Sequence, residues 1–178
     1  MDATRKNLEE QVISHYMSNS STYAWGNLGT SRPYIRMAAR TNSGKVYVLR
    51  IELPNYPNSK PDAYVECMLR DCHGRLMNYV SNANHTLEPH ANNWTQICHY
   101  HPSAWKPEMS IWMVYVRCVL WLNIYEQTLK TGRDMEFYYL ELEDYIELTE
   151  LIPRFSEYHW SNVAPDTIKY YANFYKHT

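Results

Sequence analysis

The run from Met109 to Tyr125 constrains this chain most. It is almost wholly apolar or aromatic, broken by Ser110, Arg117 and Asn123. It falls short of the roughly 18 apolar residues that a membrane-spanning helix needs, and Arg117 stands near its middle. It therefore predicts a helix buried inside a domain, against which the other elements must pack. Pro107 suits the first helical position, Glu108 favours the positive end of the helix dipole, and Gly132 suits the stop. The expected helix runs from Pro107 to about Thr131.

The chain of 178 residues is long enough for one domain with a real core, with residues about 153–178 as a C-terminal extension. Its net charge of -2, without a basic stripe, argues against a nucleic-acid partner. Met1-Asp-Ala-Thr-Arg-Lys leads into a charged helix and not into an apolar signal. Four cysteines at irregular spacing do not form a disulfide framework, so a reducing, cytoplasmic setting is expected, with no membrane partner. Tyrosine is abundant, 17 residues beside 6 tryptophans. A tyrosine buries its ring and keeps its hydroxyl wet, which suits either a polar-edged core or a large partner surface.

The elements read as α+β. A helix is expected over about Thr4–Met17, capped by Thr4, with Leu8, Val12 and Tyr16 on one face. Tyr34–Arg40 and Lys45–Leu53 alternate as strands across an Asn42-Ser43-Gly44 turn. Pro54, Pro57 and Pro61 punctuate a connection. Ala63–Leu69 reads as a third strand, a short strand is expected to end at Val80, and Ser81–Gln96 reads as extended loop. After the long helix, Glu136–Leu151 is ambiguous between helix and strand, and Asp166–Tyr175 reads as a short helix. The aromatics of Phe155–Tyr175 are expected either to pack on the core or to form a homodimer or docking surface.

The chemistry centres on Thr95-Gln-Ile-Cys98-His-Tyr-His101 and Trp105-Lys-Pro107. A cysteine after a polar approach, with a Trp-x-Pro step and a long helix behind it, suggests a thiol displayed beside a helix N-terminus. Such a thiol is a candidate nucleophile. The helix end and the neighbouring His99 and His101 are expected to lower its pKa. Cys118 and Cys67 read as core, and Cys72 as exposed. A zinc set drawn from Cys67, Cys72, His73, His85, His90, Cys98, His99 and His101 lacks any Cys-x-x-Cys pair, so no metal or other cofactor is expected.

The order of an N-terminal helix, a β-meander, Tyr56-Pro57 with Pro61, Gln96-Ile97-Cys98, Trp105-Lys-Pro107 and a long helix resembles the ubiquitin-conjugating enzymes. The bacterial branch is the more similar, through His85-Thr-Leu87, Thr95–Tyr100, Trp121-Leu-x-x-Tyr125-Glu126 and Thr131-Gly132. The resemblance spans about residues 4–140. It implies a ubiquitin-conjugating (UBC)-like fold and a transferase that carries an acyl group as a thioester on Cys98 and passes it to an amine. It also implies a partner, either a ubiquitin-like protein or the C-terminus of a cGAS-like nucleotidyltransferase in bacterial antiviral defence. The chain departs from the eukaryotic pattern in lacking the asparagine of His-Pro-Asn, at whose offset stands His90. The oxyanion donor is therefore open among His85, His90, Asn92 and Asn93. In the family the loop after the long helix returns beside the cysteine, which makes Asp134 a candidate for orienting the amine. Two other readings stay open: a non-catalytic scaffold on the same fold, and a Cys-His deconjugating protease.

Overall fold

The computed structural model describes residues 1–17 and 19–139. The expectations for Glu136–Leu151 beyond residue 139, for Asp166–Tyr175 and for the Phe155–Tyr175 surface lie outside them. The described chain is α+β. Helix α1 (Ala3–Tyr16) precedes strands β1 (Tyr23–Gly26), β2 (Tyr34–Arg40), β3 (Val46–Glu52) and β4 (Asp62–Val65). Short strands β5 (Thr86–Leu87) and β6 (Thr95–Ile97) follow, then a 3-10 turn (Pro102–Ala104) and helix α2 (Ile111–Thr131). The six strands form one antiparallel sheet in the order β1-β2-β3-β4-β6-β5.

The β2–β3 hairpin follows the alternation of its sequence. Ile35, Met37, Ala39, Leu49 and Ile51 face the core, while Val46 and Val48 face water. Gly44 closes the turn with φ 85°, donating to the Thr41 carbonyl. Glu126 of α2 locks this hairpin, accepting from Thr41 Oγ1 at 2.9 Å and Tyr47 OH at 3.0 Å. β1 had no signal in the sequence, being short with no alternating buried face. It is held by α1, where Glu10 accepts from Trp25 Nε1 at 2.7 Å. The third strand is shorter than expected and ends at Val65, which leaves Cys67 exposed and not in the core.

Both helices correct the sequence-based expectation. α1 is capped by Asp2, not Thr4, through a 2.7 Å bond from the Arg5 amide to Asp2 Oδ1. Its buried face is centred on Glu9 and Ile13, so Leu8 faces solvent. α2 starts at Ile111 with Ser110 as its cap, not at Pro107. The reason is Arg5, which takes the Pro107 carbonyl at 2.8 Å and the Met109 carbonyl at 2.6 Å. Those carbonyls serve a tertiary contact instead of a first helical turn.

α2 is apolar nearly all round, as a central helix must be, and packs on β2, β3 and α1. It ends at Gly132, whose φ of 74° lets its amide reach the Thr128 carbonyl. Gly132→Ala is expected to lower stability by about 1 kcal/mol, because alanine resists this left-handed turn. Chemical denaturation of the two proteins measures the difference. No helix among the described residues is long and apolar enough to cross a membrane.

Candidate active site

Cys98 stands one residue past the end of β6. Its amide donates to the His85 carbonyl at 2.9 Å, which ties the thiol's backbone to the tight turn before β5. The same carbonyl accepts from Trp121 Nε1 at 3.2 Å. From α2, Arg117 donates to the His99 carbonyl at 2.9 Å and lies over the Tyr100 ring, 3.9 Å from its centroid. The charge within the apolar run is thus spent on clamping the segment that carries the thiol.

The Tyr-Pro and Trp-x-Pro steps, separate in sequence, meet in space. Trp105 Nε1 donates to the Pro57 carbonyl at 2.8 Å, and the Tyr56 and Trp105 rings are 6.0 Å apart. The Tyr56–Pro57 peptide bond is cis. Tyr56 is buried, and its hydroxyl donates to Glu9 and accepts from Arg5 Nη2. The connection from β3 to β4 and the approach to α2 are therefore pinned to one another and to α1.

The thiol is half-buried rather than displayed. Burial pushes its pKa up, and the charge of Lys60 pulls partly against that. The expected lowering by a helix end is absent. Eleven residues lie between Cys98 and Ser110, the cap of α2, and the Ile111 amide there already donates to Glu9 Oε2 at 2.9 Å. Nor does His99 supply a positive charge. It is buried, and burial, with the nearby charges of Lys60 and Arg117, lowers its pKa to about 3 against a bond to the Ile97 carbonyl. The imidazole is neutral at physiological pH. His101 is exposed, and its Nδ1 lies 2.7 Å from Ser103 Oγ in the following turn.

The remaining sequence candidates divide into two groups. His85 lies at the thiol through its backbone, and its Nε2 meets Glu136 Oε2 at 2.8 Å. The Glu136 amide also donates to the Ala83 carbonyl at 3.1 Å. The segment after α2 thus returns to the turn that holds Cys98, and the acid it brings there is Glu136. Asp134 instead accepts from the Phe137 amide at 3.1 Å and caps the helical residues 135–139. His90 is fixed in its loop. It stacks on Trp94 at 4.6 Å, meets the edge of Tyr64 at 5.2 Å, and its Nδ1 accepts from the Asn92 amide at 3.1 Å. Asn92 is exposed and engages His90 through its backbone. Asn93 adopts φ 61° and its amide donates to the His90 carbonyl.

The chain matches no family model, no curated protein and no solved structure.

Lys60 and Asp62, near the thiol in the fold, carried no sequence signal, and Gln96 carried one only as part of the motif before Cys98. One residue beyond the Ala63–Ile97 pair, on the two strand segments, stand Asp62 and Cys98. Asp62 Oδ1 accepts from Gln96 Nε2 at 2.9 Å and lies 3.9 Å from Lys60 Nζ. Burial raises the Asp62 carboxyl, with Lys60 and Gln96 opposing it. Lys60, Asp62 and Gln96 come from the proline-punctuated connection, β4 and β6, so only strand pairing assembles them. Among the described residues no three His, Cys, Asp or Glu side chains converge as a metal site would require.

Proposed function

We propose that the chain is a ubiquitin-conjugating-like transferase that carries an acyl group as a thioester on Cys98 and passes it to an amine. The observation that carries this reading is the setting of Cys98. It is a half-buried thiol one residue past a sheet strand, followed by a neutral histidine, across the β4–β6 register from Asp62 and its lysine partner, and ahead of a buried central helix. The element order supports it as well: helix, four-stranded antiparallel meander, Tyr-Pro step, thiol loop, long helix.

A relay needs the thiol to attack and then to leave, and the raised pKa favours only the attack. At rest the group stays mostly protonated and reacts slowly with small electrophiles. Once deprotonated, it is a stronger nucleophile than a low-pKa thiolate. Sγ attacks the carbonyl of an activated acyl donor, itself a thioester or an acyl adenylate made elsewhere. The C–S bond forms, the carbonyl electron pair moves to oxygen, and collapse expels the donor's leaving group. An amine then attacks the new thioester, loses a proton, and releases Cys98. The donor we favour is the C-terminus of a cGAS-like nucleotidyltransferase in bacterial antiviral defence, with a ubiquitin-like protein as the alternative, and the setting is cytoplasmic.

Charging reactions with each candidate donor test the reading. Wild type is expected to form a reductant-sensitive adduct on Cys98, and Cys98→Ala to reduce it by more than a hundredfold. An adduct of equal yield in Cys98→Ala sinks the catalytic role. Tight partner binding with no adduct in either protein would leave a binding scaffold.

A further inference from the structure

Lys60 carries the observation that the chemistry above does not use. It lies between Ser59 and Pro61, on the connection into β4. Its side chain is only 11% exposed, and among the described residues its Nζ is buried without a hydrogen bond. The 3.9 Å to Asp62 Oδ1 is too long for one, and that oxygen is already engaged by Gln96 Nε2. An ammonium has three donors, and all three here lack an acceptor. His99 Nε2, on a side chain 5% exposed, is likewise buried without a partner. Two buried polar atoms without hydrogen bonds thus lie on the two segments at this site, one on the residue after Cys98 and one just before β4. Buried groups of this kind mark a place where a further charge belongs.

The position of the charge is bounded from several sides. It acts on Cys98, on His99 and on Cys118 in the interior of α2. The ammonium lies 3.9 Å from Asp62, the residue that stands across the β4–β6 register from Cys98. Asp62 and Lys60 are both on the β4 side of the β4–β6 pair, facing the strand that delivers Cys98.

We propose that Lys60 is the electrostatic partner of Cys98, its ammonium pairing with the anion that forms at this site. In the free protein that anion is the Cys98 thiolate. On the acyl-transfer reading, on which this second role rests, it is also the oxyanion made when Sγ adds to the donor carbonyl. Lys60 keeps its three protons throughout. The Cys98 proton leaves to solvent or to the departing group, and collapse of the oxyanion restores the carbonyl without a proton from Lys60. A preorganised cation at this point does what the missing asparagine would otherwise do.

Site-resolved alkylation with iodoacetamide tests this in the full-length protein. Rates at Cys98 are read by peptide mass spectrometry from pH 6 to 10 in wild type, Lys60→Met and Lys60→Arg. A cation favours the thiolate, so its loss moves the titration to higher pH. In Lys60→Met the Cys98 profile is expected to shift upward by about one pH unit, with the rate at pH 7.5 falling about tenfold. Lys60→Arg is expected to move it back toward wild type. The exposed Cys67 and Cys72 serve as internal references with unchanged rates. Lys60→Met also loses the 3.9 Å ion pair with Asp62, so denaturation curves of each variant establish that the alkylation rates are read on folded protein. An unshifted Cys98 profile in folded Lys60→Met overturns the proposal, whatever the adduct experiment gives. A shifted profile upholds the pairing even where adducts form without Cys98, in which case it is the acyl-transfer reading that fails.

Discussion

Glu9→Ala is expected to lower the stability of this domain by about 3–5 kcal/mol, the usual cost of removing one partner from a buried ionic cluster. Glu9 is 1% exposed on a helix that otherwise buries apolar side chains. Its Oε1 accepts from Arg5 Nε at 2.9 Å and from the Tyr56 hydroxyl, and its Oε2 accepts from the Ile111 amide at 2.9 Å. One carboxylate therefore joins α1, the β3–β4 connection and the first turn of α2. Alanine would leave the Arg5 guanidinium and the Ile111 amide without their acceptor, in a place with little water to replace it. Against a total of about 5–15 kcal/mol for a domain of this kind, that loss approaches unfolding. Glu9→Gln keeps the shape and at least one acceptor, and is expected to fall between the two. Guanidinium denaturation followed by far-ultraviolet circular dichroism measures all three. A midpoint for Glu9→Ala within error of wild type would show that the cluster adds nothing.

Trp121→Ala is expected to cost a similar amount, about 3–5 kcal/mol, by a different route. Trp121 is 0% exposed and stacks on Tyr125 with centroids 5.7 Å apart. Removing the indole opens a cavity that the surrounding helix and strands cannot fully close. Its Nε1 also donates to the Asn84 and His85 carbonyls, each at 3.2 Å, and the His85 carbonyl holds the Cys98 amide. Trp121→Phe separates packing from hydrogen bonding. It keeps most of the ring and is expected to cost about 1–3 kcal/mol, the range for leaving a buried acceptor short of its donor. Because that acceptor belongs to the turn beside the thiol, Trp121→Phe should also change the alkylation rate of Cys98. Equal stability of Trp121→Phe and wild type would show that the indole N–H is dispensable.

The readable part of the candidate site was its backbone framework. Tyr56-Pro57, Trp105-Lys-Pro107 and Trp121 with Tyr125-Glu126 are bulky or conformationally restricted residues, so their order alone suggests where the chain turns and packs. In the structure they bond to each other, to the hairpin, to the thiol turn or, for the Tyr125 hydroxyl, to the Arg70 carbonyl. The electrostatics were not readable. His99 and His101 look like cations beside a thiol in the sequence. Burial makes the first neutral, and a Ser103 contact occupies the second. The acid that the loop after α2 brings back to the His85 turn is Glu136, while Asp134, at the loop's start, caps the next helical turn.

By itself the sequence determined what local periodicity can encode. The alternating hairpin of β2 and β3, the buried helix from the apolar run and its stop at Gly132 each follow from side chains close together in the chain. Tertiary structure alone decided the fate of the charges. Glu9 is buried because its acceptor atoms meet the Ile111 amide 102 positions away, and α2 begins late because Arg5 claims the carbonyls before it. Lys60 and Asp62 come to face the strand that delivers Cys98 because β4 pairs with β6 across a gap that no short-range pattern records. The physical reason is the same in each case. Apolar burial is set mainly by a residue's own surface, whereas burial of a charge depends on partners that only the assembled fold brings within a few ångströms.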